Sequence, residues 1–187
     1  STLDFHHRSN SYMNEVMDDR EGLPITLSIL LIELANRLNL PVSGLGLPGH
    51  FMAIYREPLE KKDIKKRAPS KEILIDAFGG KIINRREASD ITGVLLSELS
   101  FEPTSKKDII TRMLRNLIQS AEREQDQVSK LRYMGAILAI SPNDRYTRAM
   151  RAMIHYEREE FDKTLMDIDF LLLENPESPE NLPLQEI

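Results

Sequence analysis

The chain of 187 residues has no cysteine and no tryptophan. Without a thiol it can form no disulfide, no thiolate metal site and no cysteine nucleophile. Long apolar runs are missing too: Ile29–Ile32, with Leu27 nearby, is stopped by Glu33. A membrane-spanning helix needs about 20 such residues, so no membrane span is expected. Positive charge is not in excess. The formal net charge of −5 argues against general nucleic-acid binding. One basic run, Lys61, Lys62, Lys65, Lys66 and Arg67, is diluted by Glu60 and Asp63; it reads as a solvated loop or as a docking patch for an acidic partner. No secretory signal pattern opens the chain, and the missing cysteine fits a reducing compartment, so a cytoplasmic location is expected. The chain opens on Ser1, and Leu3 to Asn10 reads as mid-domain sequence, as expected of a piece of a longer protein.

What is present is ordinary folded-protein material. With 41% hydrophobic and 29% charged residues, the chain can bury one good core or two modest ones. Residues 1–100 mix helix and strand signals. Asn10 to Asp19 predicts a short helix with Tyr12, Met13, Val16 and Met17 on its apolar side. Pro24 suits the first turn of a second helix, because its missing N–H would have no partner there. That helix is expected to run to about Asn39. Its apolar residues surround most of its circumference, which predicts a central, buried position. Glu33 and Arg37 stand four apart on its polar side. Two strands follow, His50 to Tyr55 after the turn Pro48-Gly49, and Ile73 to Ala77; Lys81 to Asn84 could add a third. Period-two alternation puts His50, Met52 and Ile54 on one face, and Leu74 and Asp76 on one face. If those faces look the same way, His50 and Asp76 meet.

Residues 104–187 are helical in pattern. Ser105-Lys-Lys-Asp108 and Ser141-Pro-Asn-Asp144 fit capping boxes, and Ser178-Pro-Glu-Asn181 resembles a third helix start. The spacing predicts helices at about 106–122, 126–140, 142–158 and 161–174. A helical hairpin repeating at about 34 residues is the tetratricopeptide signature. Ala152, Ile168 and Pro176 suit it, whereas Lys130 and Met134 stand where alanine and an aromatic are usual. A generic helical bundle is the plainer alternative.

Three segments carry the chemistry: Arg20-Glu-Gly-Leu-Pro-Ile-Thr-Leu-Ser28, Gly44-Leu-Gly-Leu-Pro-Gly-His-Phe-Met52 and Ile73-Leu-Ile-Asp-Ala-Phe-Gly-Gly80. In the second half Arg112-Met-Leu-Arg-Asn-Leu117 and Ser141-Pro-Asn-Asp144 join them. On these residues the chain resembles a bacterial family with a transglutaminase-like domain followed by tetratricopeptide repeats, the invasion-regulator-related family. Similar segments occur in some eukaryotic F-box adaptors. The resemblance implies an α+β fold: a transglutaminase-like (papain-like) domain at 1–100, with its central helix against a small antiparallel sheet. Tetratricopeptide-like hairpins would fill 104–187. It also implies a missing N-terminal helical portion.

In enzymes of that fold a cysteine opens the central helix, and histidine and aspartate come from the next two strands. By resemblance His50 takes the base position and Asp76 the orienter position. The nucleophile position falls near Pro24 to Thr26, where no thiol stands. Thr26 or Ser28 could replace it, but a hydroxyl is far harder to activate than a thiol. The plain structural reading makes Thr26 a first-turn residue bonding free helix N–H groups. It makes Ser28 a small buried residue bonded back to its helix, and His50–Asp76 a buried hydrogen bond. Gly44, Gly46 and Gly49 are no phosphate loop, since no Lys-Ser/Thr follows. His6, His7 and His155 form no metal-ligand pair, and neither metal nor cofactor is expected. The sequence therefore points to a non-catalytic interaction or regulatory protein, engaging a protein or peptide partner through its helical repeats. The alternatives are a hydrolase or acyltransferase using Thr26 or Ser28 with His50 and Asp76, and a small-molecule sensor using the relict cleft.

Overall fold

The computed structural model describes residues 5, 7–58 and 71–174. The basic run Lys61–Arg67, Pro176 and the helix start at Ser178 lie outside them. The chain divides into two compact units, Ser1–Met113 and Leu114–Ile187.

The first unit starts with a 3₁₀ turn, Arg8–Ser11, and helix α1, Met13–Asp19. Of the expected apolar side of α1 only Val16 is buried, and Met17 is exposed. Arg20 closes α1 in the left-handed region at φ 58. Helix α2, Pro24–Arg37, carries Pro24 in its first turn, as its missing donor favours. The helix is not buried all round, as its composition had suggested. Pro24, Ile25, Thr26, Ser28 and Ala35 are buried, whereas Leu34 and the capping residue Leu38 are exposed. One sheet covers only one side of it. The Glu33–Arg37 pair forms at 3.1 Å, out in solvent.

The sheet is an antiparallel meander in the order β1-β2-β3-β4: Val42–Leu47, His50–Arg56, Glu72–Asp76 and Lys81–Ile83. β1 was hidden from sequence reasoning by two glycines, and the structure explains both. A side chain at Gly44 would meet the ring of Phe51 at 2.6 Å, and Gly46 faces Thr104 and Arg112. Leu47 pairs with His50 across a two-residue turn, with Gly49 at φ +66. One sheet face (Leu45, Leu47, Met52, Ile54, Leu74 and Ile83) packs with Phe101 and with Ala88 of helix α3, Arg85–Thr92. α3 also escapes sequence detection: its only buried residue is Ala88, and its signal is the capping box of Asn84 with Glu87. Phe51 and Ala53 point to the other face, toward Ile25 and Ala35 of α2.

Helix α4, Lys106–Arg123, crosses the boundary between the units. Its early residues Ile109 and Met113 pack with Leu23, Ile25 and Phe51. The second unit continues with α5 (Gln127–Ile140), α6 (Arg145–Glu157) and α7 (Phe161–Glu174). The boundaries agree closely with the expected helices except at α6. There Asp144, not Ser141, is the cap, its carboxylate accepting from the Thr147 amide. Ser141 instead accepts the Asp144 amide through its carbonyl, in a turn that delays the helix. α6 and α7 share a core of Ala152, Ile168 and Leu171. Asp167, almost fully buried, is clamped by Arg148 and Arg151 at 2.7–2.9 Å. Lys130 is also buried, its ammonium paired with Glu122. Among the described residues no helix is long and apolar enough to cross a membrane.

Candidate functional site

The pairing register decides whether the two strand residues meet. Ile54 pairs with Leu74 and Ala53 with Ile75. One step further that register sets Asp76 beside Met52, so His50 lies two residues on and on the same face. The ring nitrogen Nε2 of His50 sits 3.0 Å from Oδ1 of Asp76. Both side chains are largely buried. The same Asp76 oxygen accepts the Gly79 amide at 3.0 Å, and a side chain at Gly79 would run into the carboxylate. The Gly79-Gly80 turn therefore fixes the acid, and the acid fixes the imidazole. The Asp76 carboxyl lies below its usual range. Burial, the largest influence, opposes ionisation, but the Gly79 amide, His50 and Lys81 together outweigh it.

With Nε2 facing the Asp76 carboxylate, the second ring nitrogen is Nδ1. It is the nitrogen a nucleophile would use. Neither candidate hydroxyl is bonded to it. The Thr26 hydroxyl shares its proton between the carbonyls of Asn10 at 2.9 Å and Leu23 at 3.0 Å. It acts as a donor tying α2 to the N-terminal segment, not as an acceptor for helix amides. The Ser28 hydroxyl donates to the Phe51 carbonyl at 3.3 Å, so it reaches across to β2 rather than back along its own helix. Thus His50 and Asp76 come together, and Thr26 and Ser28 are spent on backbone carbonyls. The ring of Phe78 stands edge-on to His50 at 6.2 Å, and Phe5 packs edge-on against Phe78 at 5.7 Å. Among the described residues no group of three or more His, Asp or Glu could hold a metal ion.

The segment Arg112-Met-Leu-Arg-Asn-Leu117 supplies a further residue to the site, with a role that the sequence does not show. Arg112 sends one guanidinium nitrogen to the carbonyls of both Leu47 and His50, each at 2.8 Å. Its plane lies over Phe51, 5.7 Å from the ring centre. Among the described residues no carboxylate accompanies it, and burial pulls its pKa down. Arg112 thereby closes the hairpin from which His50 projects. The readable signal was position: Arg112 stands three residues after Ile109, one turn along the side of α4 that packs on Phe51.

The structure thus places a histidine on β2, held through one ring nitrogen by a carboxylate on β3, in a small antiparallel sheet that packs against helix α2. Residues 1–115 match the family described as the transglutaminase-like superfamily, and the chain belongs to it. It is similar to F-box only protein 21 of Pongo abelii, 26% identical over 89% of this chain and 27% of that protein. It is also similar to a UPF0162 protein of Xylella fastidiosa, 28% identical over 61% of this chain and 40% of that protein. The UPF0162 protein YchA of Escherichia coli is 25% identical over 90% of this chain and 61% of its own length. The chain thus spans well under half of the first two relatives. No solved structure matches it.

Proposed function

We propose that the chain is a non-catalytic member of the superfamily, an interaction or regulatory module that engages a protein or peptide through the helices of its second half. The observation that carries the reading is the commitment of both candidate hydroxyls to backbone carbonyls, in a chain without cysteine. The His50–Asp76 pair is then a structural hydrogen bond, retained because deleting either partner strands the other in a buried place. The helical hairpins formed by α4–α7 support a tetratricopeptide-like reading of the second half, an architecture that presents grooves to partners. A cavity of about 850 Å³ in that half supports it further, with Ile118, Met134, Tyr146 and Met150 beside Arg115 and Lys130. Mixed apolar and cationic lining suits a peptide with apolar and acidic side chains.

The test is a complex isolated with the full chain, compared across two variants. The reading expects the complex to survive His50→Ala and to be lost with Tyr146→Ala combined with Met150→Glu. Turnover of an ester or amide substrate that vanishes in His50→Ala would overturn it in favour of a hydroxyl-based hydrolase.

A further inference from the structure

The second unit holds a cluster of cations that the groove does not use. α5, α6 and α7 enclose a shallow cavity of about 460 Å³. Arg132 enters it from α5, Arg151 and His155 from α6, Arg158 and Glu160 from the connecting turn, and Lys163 from α7. Four permanent cations thus face a single lining acid. Glu160 is already shared: Lys163 at 2.9 Å, His155 at 2.7 Å and Arg158 at 3.0 Å all converge on its carboxylate. Those contacts, Lys163 first, hold its pKa down from 4.5 to about 2. Arg151 shares Asp167 with Arg148, so one buried acid serves two guanidiniums. Arg132 is exposed and has no acidic partner among the described residues. Glu157, Glu159 and Asp162 stand nearby in sequence but do not line the cavity.

Like charges are gathered from three helices at a cost in repulsion, and one carboxylate does not balance them. Guanidinium forks and an ammonium around a small open space are the donor set that suits a tetrahedral dianion. We propose that Arg132, Arg158 and Lys163, with His155 behind them, form a binding site for a phosphate-type dianion, seated beside Glu160. The shared chemistry is the phosphate group, whether free or carried on a phosphorylated side chain. The site is distinct from the peptide groove proposed above, because the two cavities share no lining residue.

The full chain is titrated with inorganic phosphate and, separately, with a neutral-flanked phosphoserine peptide, reading the arginine side-chain NMR signals at constant ionic strength. The expected result is saturable shifts at Arg132 and Arg158. Arg132→Ala, at an exposed position that should not disturb folding, weakens binding about tenfold, the loss of one charge-assisted hydrogen bond. Glu160→Gln strengthens binding, an effect that a purely structural cluster would not produce. Tighter binding of the peptide assigns the phosphate to a phosphorylated partner, and equal binding assigns it to the free anion. Shifts no larger than those caused by chloride at equal ionic strength, or binding indifferent to Arg132→Ala, would overturn the proposal.

Discussion

Replacing Arg112 by alanine tests how the β1–β2 hairpin is held. The guanidinium makes two charge-assisted hydrogen bonds at 2.8 Å, to the Leu47 and His50 carbonyls. Such bonds contribute about 1.5–3 kcal/mol each, so the gross loss is about 3–6 kcal/mol. The cost of burying an unaccompanied guanidinium offsets part of this, and the net expectation is about 2–4 kcal/mol. Arg112→Lys should recover less than half, because an ammonium is more strongly hydrated and cannot lie flat over the Phe51 ring. Urea unfolding followed by far-UV circular dichroism and tyrosine fluorescence measures the change. With a slope of about 2 kcal/mol per molar urea, the midpoint falls by about 1–2 M. The amide NMR signals of Leu47 to His50 should shift in parallel, since the turn loses its brace. A loss under about 0.5 kcal/mol with those amides unmoved would mean that water replaces the guanidinium at no cost, and the reasoning would fail.

Three further outcomes follow from the same geometry. Asp76 has a depressed pKa, so its contribution is fully present above its unfolded value of about 3.9 and disappears as pH falls through the folded value. Asp76→Asn should therefore be less stable than the parent at pH 6, with the gap narrowing below about pH 4; a gap constant from pH 6 to pH 3 in acid-unfolding curves would contradict this. Gly44→Ala drives a methyl into the buried ring of Phe51 and should cost about 1–3 kcal/mol in thermal unfolding, whereas alanine at half-buried Gly135, with open space around the added methyl, should not destabilise the chain. Asp167→Ala removes the shared acid of Arg148 and Arg151 and should lower stability by about 3–5 kcal/mol, with Asp167→Asn less harmful because it keeps an acceptor.

Legibility differed by element for physical reasons. His50 and Asp76 could be paired from sequence because β-strand alternation is strict, and His50 opens its strand and Asp76 ends its own, each beside a glycine turn. The four helices of the second half were legible because their apolar spacing and capping residues agree. β1 was not, since Gly44 and Gly46 serve close packing and leave no hydrophobic alternation to read. α3 was hidden by polarity: it presents little beyond Ala88 to the core. The start of α6 is ambiguous in the sequence because Ser141 and Asp144 both suit a cap, and the backbone turn between them decides for Asp144. The fates of the Thr26 and Ser28 hydroxyls depend on carbonyls far away in the chain, at Asn10 and Phe51. No local pattern encodes those partners.

The pairing of β2 with β3 has a practical consequence for engineering. Arg56 and Glu72 are register partners and also share a side-chain hydrogen bond at 2.9 Å, so the strand ends flanking the intervening stretch are pinned together. Closing a connection between fixed ends depends only logarithmically on its length, about 0.6 kcal/mol for each doubling. Because these ends are fixed, lengthening the chain between them should cost little free energy and leave the His50–Asp76 strands in register.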